Sequence, residues 1–490
     1  MTTELVVFLV YLVFMLGIGV YFFFRSKGGD EKTYFLGGRQ MGPWVSALSA
    51  GASDMSAWVL MGLPASIYAL GLGQTWIAIG LALGYALSWI FEAPRLRRFS
   101  IVANDSITIP QYLTNRFLSS SKALQIICAV IFLFAYTIYA ASSIKACGTL
   151  FNTVLGIDAS LAMYISAFII IAYTFLGGFS AVCWTDFFQG LLMLAALLVA
   201  PIFALALYNA GQGAVGVTYP DHFFSLLSTG KADWTSISDI LSGLGWGLGY
   251  FGMPHIIIRF MSLKSQKDLR KSSVIGISWT TLILIFSVAS ACIGRLFLGE
   301  IADSSVVFIT MVRKIFPPLI SGILLSAILA ASMSTADSQL LASASAFASD
   351  IYKPVFRKNA GDREMMWAGR IVVMIISIIA VIIAANPNSG SIMGLVENAW
   401  GIFGAAFGPV ILLSLFWRRF NYTGACVGVV VGAAVDLVWY FCLASTGIYE
   451  IVPGFICGGL AAIIATLVSK EPSKEVTDIF DTAIQEGYGE

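Results

Sequence analysis

The chain has 490 residues, of which 58% are hydrophobic and 11% charged, against roughly a quarter charged in ordinary soluble domains. Its 28 Lys and Arg offset 27 Asp and Glu to a formal net charge of +1, so no global field recruits nucleic acid or an acidic partner. Mean hydropathy is +0.86, and apolar runs of about 20 residues recur throughout, so the solvent is lipid. That excludes a soluble enzyme, a nucleic-acid binder and a secreted disulfide scaffold.

Apolar runs bounded by charges or turn residues give thirteen predicted spans, near 4–24, 43–70, 72–92, 123–152, 160–178, 184–209, 236–260, 272–297, 317–350, 366–385, 391–418, 422–443 and 449–468. They are helices, because lipid cannot satisfy free backbone groups. The short run 304–316, with Arg313 and Lys314, reads as an outer loop helix. The first span is not a cleavable leader: Arg25 and Lys27 follow its apolar run, and no small-residue cleavage site appears. The 22 residues after 468 are too few to fold as a domain. Seven cysteines lack CxxC spacing and sit mostly in spans, as small apolar packing residues.

Lys and Arg sort unevenly between alternate connections. Twenty-two lie in one set (25–42, 93–122, 259–271, 351–365, 418–421 and the tail), against four in the other, namely Lys231, Arg295, Arg313 and Lys314. The bias places the N-terminus outside and the C-terminus inside, as an odd number of spans also requires.

Two spans are imperfect at matching places. Span two carries SALSAGASDMSAW over 46–58, setting small residues, hydroxyls and the Asp54 carboxylate at mid-membrane depth. Span seven has five glycines and a proline between Gly243 and Pro254. Each glycine costs about 1 kcal/mol in a helix interior and proline about 3, so this stretch is expected to unwind. Unwound backbone survives at that depth only where it lines a cavity. Because the two spans are five apart, 43–209 and 210–418 read as five-helix repeats of opposite topology. They are flanked by a first helix and loop (1–42), two peripheral spans (419–468) and a tail (469–490). Inverted-repeat transporters hold substrate and ion at two such breaks. Close helix packing explains glycines too, but not Asp54.

Span nine adds the hydroxyls of Ser334, Thr335 and Ser338. A hard monovalent cation takes about five or six oxygens, which these hydroxyls and the freed carbonyls of span two can supply. Sodium is the natural candidate; a proton needs one carboxylate and leaves the hydroxyls unexplained. Asp186, Asp337 and Ser338 are candidates for a second cation site or an exit relay, with a helix-terminal role for Asp186 equally open. Lys145, Arg370 and Asp436 lie nearer span ends, where snorkelling or pairing is expected. Glu397 is expected near the outer mouth, and His255 as a hydrogen-bonded structural residue, with gating its other reading.

These segments resemble the solute:sodium symporter family, and within it the sodium/proline symporters. The match includes YFLGGR (34–39), SALSAGASDMSAWVLMGLP (46–64), WIAIG (76–80), TIYAAS (137–142), GWGLGYFGMPHIIIRFM (245–261), 321–341 and GAAFGP (404–409). The resemblance implies an all-α polytopic membrane protein of thirteen helices with a leucine-transporter-like core of two inverted five-helix repeats. It also implies a place in the plasma membrane and carriage of L-proline with Na⁺ by alternating access. It further implies a sodium site of the Ala52, Met55 and Ala331 carbonyls and the Ser334 and Thr335 hydroxyls, with Asp54 beside it. The proline pocket would involve Ser56, Trp58, Tyr139, Trp246, Tyr250 and Pro254. Asp186, Ser334, Asp337 and Ser338 resemble an additional cation site, and Arg39 a residue linked to inner gating. Ala57 stands where the proline pattern has glycine, and Met253 where it has glutamine. Both bear on which substrate fits.

The residues themselves suit a small zwitterion, with aromatic rings for an apolar body and no mid-span arginine to clamp a dianion. Other readings are Na⁺ symport of another small solute, or a proton-coupled amino-acid carrier using Asp54 or Asp337. Two histidines, and no HExxH, GxSxG or P-loop, argue against an intramembrane enzyme. A single chain with off-axis breaks argues against a channel. Nothing in the sequence calls for an obligate protein partner.

Overall fold

The computed structural model describes residues 2–25, 31–176 and 178–485. Lys27 of the charge bias and residues 486–490 of the tail lie outside the described residues. The chain runs through α1 (Thr3–Arg25), α2 (Glu31–Leu36), α3 (Pro43–Asp54), α4 (Gly62–Leu70), α5 (Thr75–Leu87), α6 (Ala93–Val102) and α7 (Ile109–Arg116). It continues through α8 (Ala123–Leu155), α9 (Ala159–Leu176), α10 (Phe179–Leu207), α11 (Trp234–Gly245), α12 (Pro254–Ser262), α13 (Gln266–Leu298) and α14 (Val307–Ile315). It ends with α15 (Pro318–Ser345), α16 (Asp362–Ala385), α17 (Ile392–Phe416), α18 (Tyr422–Cys442), α19 (Ile451–Val468) and α20 (Lys474–Ile484). Among the described residues no strand forms; one isolated bridge pairs Met41 with Leu263. It ties the start of α3 to the end of α12.

Among the described residues, ten helices are long and apolar enough to cross a membrane. The expected thirteen are not all among them, for a physical reason in two cases: 43–70 and 236–260 are each divided into halves too short to count alone. The third is α9, whose apolar stretch is short, Ser160–Ala172. The run 304–316 forms the short amphipathic α14. The third span extends past its expected end to Val102, winding through π-helical turns at Ser88–Glu92 and restarting at Pro94, which is tolerated in a first turn. α15 and α17 are the central helices, with 83% of their apolar windows buried, whereas α1, α18 and α19 are 22–33% buried and form the rim.

Both breaks exist, but they differ. At the first, α3 stops at Asp54 because Met55 (ψ 72°) and Ser56 (ψ −172°) leave the helical region, and one 3₁₀ turn at Ala57–Val59 leads into α4. The second does not unwind over its glycines as expected. Trp246–Phe251 wind as a 3₁₀ helix, and only Gly252 and Met253 are non-helical before Pro254 opens α12. The glycines are needed for close approach. A Cβ on Gly247 would collide with the Gly80 carbonyl, and one on Gly249 with the Trp400 indole. Break and packing therefore coexist in one segment.

Candidate functional site

Ending α3 inside the protein frees its last carbonyls, and each finds a particular partner. The Ser53 carbonyl lies 3.1 Å from His255 Nε2, and the Asp54 carbonyl accepts from Trp58 Nε1 at 3.3 Å and from the Ser56 amide at 2.8 Å. The Ala52 carbonyl accepts from the Ser334 hydroxyl at 2.8 Å, and the same hydroxyl lies 3.2 Å from the Ala331 carbonyl. Three of the expected sodium ligands thus converge where α3 ends against α15. Beside them the Thr335 hydroxyl is fully buried and has no hydrogen-bond partner. A buried hydroxyl left unpaired costs about 1–3 kcal/mol, so this oxygen set fits a cation. Met55 is buried next to it.

Asp54 points elsewhere. Its Oδ2 accepts from the Tyr250 hydroxyl at 2.5 Å, joining the two breaks, while Oδ1 is buried without a partner. Around that bond Tyr250 stands edge-on to Tyr85 at 5.0 Å and Trp400 at 5.1 Å. Trp58 faces Trp246 at 6.3 Å, and Trp400 Nε1 donates to the Trp246 carbonyl at 2.8 Å. Tyr139 lies 6.3 Å from the His255 ring. Ser56, Ala57, Met253 and Pro254 are buried at the turns of the two breaks. All eight expected pocket residues are therefore sealed from bulk solvent in this conformation. The arrangement offers one carboxylate, freed carbonyls and an aromatic wall to a small solute.

The expected second cation site contains a cation that sequence reading placed elsewhere. Asp186 and Ser338 do meet, at 3.4 Å, but Arg259 lies against both. Its guanidinium donates to Asp186 Oδ2 at 3.2 Å, to the Ser338 hydroxyl at 2.6 Å and to the Ser49 hydroxyl at 3.1 Å. Arg259 was expected in a loop and is instead a buried residue of α12. The absence of a buried arginine near the breaks is corrected accordingly: Asp186 is neutralised by a side chain. Asp337 is fully buried on α15.

At the end of the bundle closed by the Met41–Leu263 bridge, Arg39 joins three segments. It donates to the Asp105 carboxylate at 2.9 Å, to the Ser106 carbonyl at 2.9 Å, to the Ser100 hydroxyl at 3.1 Å and to the Met261 carbonyl at 2.6 Å. Burial lowers its pKa and Asp105 opposes that shift; a guanidinium so placed stays charged.

Other expectations divide. His255 is a hydrogen-bonded core residue, held by Ser53 and by the Tyr136 hydroxyl at 3.2 Å from Nδ1. Lys145 bonds Ser389 and Gly390 near a helix end, and Arg370 lies over the Trp367 ring. The Glu397 carbonyl accepts from the Tyr449 hydroxyl at 2.7 Å. Asp436 neither snorkels nor pairs: it is fully buried, and both carboxylate oxygens lack hydrogen-bond partners. Sequence reasoning misses Trp400 and Arg259. The only signal for Arg259 was its position four residues after His255, inside the same apolar run.

Two broken helices crossing at a carboxylate, with freed carbonyls against a hydroxyl-bearing helix, define an ion-coupled secondary transporter. Residues 34–432 match the Sodium:solute symporter family, and the chain belongs to that family. It is thus a multi-pass membrane symporter coupled to Na⁺, and not an enzyme. It is 43% identical to the osmoregulated proline transporter OpuE of Bacillus subtilis, over 98% of each chain. It is 41% identical to the sodium/proline symporter of Haemophilus influenzae, over 98% of this chain and 97% of that one. Its fold is that of a Na⁺-coupled sialic acid symporter solved substrate-bound and outward-open, with a TM-score of 0.79 and 21% identity over 97% of this chain and 99% of that one.

Proposed function

We propose that this protein carries L-proline into the cell together with Na⁺ by alternating access. The observation that carries the reading is the oxygen set at the α3–α15 contact, where Ser334 bonds the freed Ala52 carbonyl and the neighbouring Thr335 hydroxyl is unsatisfied. Near-full-length relatives named as proline transporters support the substrate. Na⁺ enters at the Ala52, Met55, Ala331, Ser334 and Thr335 oxygens and fixes the end of α3 against α15. That orders Ser56, Trp58 and the facing Trp246, Tyr250 and Pro254, so proline binds more tightly. Coupling is reciprocal, so proline tightens Na⁺ by the same factor.

The basic-loop end is the cytoplasmic one, with the N-terminus outside and the C-terminus inside the plasma membrane. Residues 43–209 and 210–418 act as the two inverted repeats, and opening of the Arg39–Asp105 contact releases both solutes. A potential of about 150 mV supplies roughly 3.5 kcal/mol per charge, and a tenfold Na⁺ gradient adds about 1.4. One ion then supports roughly a several-thousand-fold proline ratio.

Purified protein in proteoliposomes, given labelled proline and an inward Na⁺ gradient, tests this. Accumulation that collapses when the gradient is removed is the expected result. Accumulation of another amino acid alone would change the substrate, and uptake driven by a pH gradient in Na⁺-free medium would change the coupling ion.

A further inference from the structure

Starting from Thr335 of the sodium set, α15 carries a row of polar side chains that neither the pocket nor the Arg259 cluster uses. Thr335, Gln339, Ser343 and Asp350 follow at intervals of four, four and seven, which keeps them on one face of a helix. All four are buried. The Thr335 and Ser343 hydroxyls, both polar atoms of the Gln339 amide and Asp350 Oδ2 have no hydrogen-bond partner. The row ends at a compact polar cluster. Asp350 Oδ1 accepts from Gln125 Nε2 at 2.7 Å and from the Thr108 hydroxyl at 3.0 Å, while Gln125 Oε1 is buried and unpaired. Asp350 itself lies where α15 continues as π-helical turns over Ala346–Phe356, a winding frequent at functional sites.

Burying one unpaired polar group is unfavourable, and a continuous row of them is rare unless something mobile satisfies it. Asp350 adds charge to that argument. A carboxylate out of water needs a cation or a proton, and among the described residues no ion pair reaches this one: the neighbouring Lys353 is committed to Glu31 at 2.6 Å. The free oxygens Asp350 Oδ2 and Gln125 Oε1, with the Thr108 hydroxyl beside them, are hard ligands suited to a small monovalent cation. Thr335 and Asp350 are fifteen positions apart, or about 20 Å along the helix.

We propose that Asp350, Gln125 and Thr108 form a second station for Na⁺, reached from the Ser334–Thr335 site along Gln339 and Ser343, from which the ion leaves the protein. This rests on the sodium assignment made above. It places the exit on the row along α15, apart from Asp186, whose charge Arg259 already balances.

The test compares wild type, Asp350→Asn and Gln339→Leu in proteoliposomes by two assays. One is net proline uptake under an inward Na⁺ gradient; the other is proline exchange with saturating Na⁺ on both sides, which does not require the ion to leave. The station predicts that net uptake falls at least tenfold in both variants while exchange and the Na⁺ concentration for half-maximal proline binding stay within twofold of wild type. Gln339→Leu removes no hydrogen bond, so it keeps the test alive should Asp350→Asn fail to fold. Wild-type net uptake in the variants overturns the station, as does a parallel fall of uptake and exchange, which marks a structural role. Wild-type transport indifferent to Na⁺ overturns the sodium assignment and the station together, whereas a Na⁺-dependent wild type with unaffected variants overturns the station alone.

Discussion

The Tyr250 hydroxyl donates to the Asp54 carboxylate at 2.5 Å, so the two helix breaks are joined at the buried acid itself. Asp54 therefore reports on the second break as well as on the proposed sodium site beside it. Both groups are fully buried, and Asp54 Oδ1 has no hydrogen-bond partner.

That bond makes a graded prediction. Tyr250→Phe keeps the ring packed against Tyr85 and Trp400 but leaves a buried carboxylate without its donor, at a cost of about 1–3 kcal/mol. Initial rates of Na⁺-driven proline uptake are expected to fall about 10- to 100-fold. Asp54→Asn removes the charge as well and is expected to abolish uptake. An Asp54→Asn protein with ordinary Na⁺-driven uptake would show that the carboxylate serves packing only.

The sodium set separates stability from binding. Thr335 donates no hydrogen bond from its hydroxyl, so Thr335→Val, similar in shape, should leave the thermal midpoint in detergent unchanged or raise it. The same variant should raise the Na⁺ concentration for half-maximal proline binding at least tenfold. Ser334→Ala loses the bond to the Ala52 carbonyl too and should lower the midpoint as well as raise that Na⁺ concentration. Identical Na⁺ responses in wild type and Thr335→Val would remove Thr335 from the ligand set.

How much of this is legible in the sequence depends on whether a residue is conspicuous locally or only through its partner. Asp54 and the Ser334–Thr335 pair stand out because hydroxyls and a carboxylate interrupt otherwise apolar spans. Arg259 does not: a charge after three isoleucines at a span end reads as the start of a loop. Its burial depends on Asp186, 73 residues earlier in the chain. The glycines of 243–252 invite the same error, since propensity counts their cost in an α-helix but not the tight 3₁₀ turn that Gly80 and Trp400 impose. Asp436 looks interfacial by position. The close approach of Gly401 and Gly454 encloses it instead, as a Cβ at Gly401 would lie 2.8 Å from its carboxylate.

The C-terminal helix α20 is fastened by a pair that titrates. Arg418 donates to both oxygens of Asp481, at 2.8 and 2.7 Å, and this hydrogen bonding holds the Asp481 carboxyl below its ordinary value. A depressed folded-state pKa contributes stability above the unfolded value, near about 3.9, and that contribution is lost as pH falls through the folded value. Protection of the 474–484 amides relative to their intrinsic exchange rates should therefore be high at neutral pH and fall below about pH 4. Arg418→Ala should be weakly protected at both. An exchange rate in Arg418→Ala equal to wild type at neutral pH would mean that Phe480, packed on Phe99, holds the helix alone.

Arg259 and Asp186 should behave as a unit rather than as two independent sites. Both are buried, at 3.2 Å, so Asp186→Asn leaves a guanidinium without its counter-charge. Breaking such a pair from one side costs about 3–5 kcal/mol, and the thermal midpoint should drop by several degrees. Replacing both, Asp186→Asn with Arg259→Gln, removes the stranded charge and should recover most of that loss. Ser49 and Ser338 can then bond the two amides as they now bond the ions. If Asp186 instead serves mainly to hold a transported cation, the single variant should melt like wild type and lose Na⁺ dependence. Melting curves of the two singles and the double, read as a double-mutant cycle, decide between these outcomes.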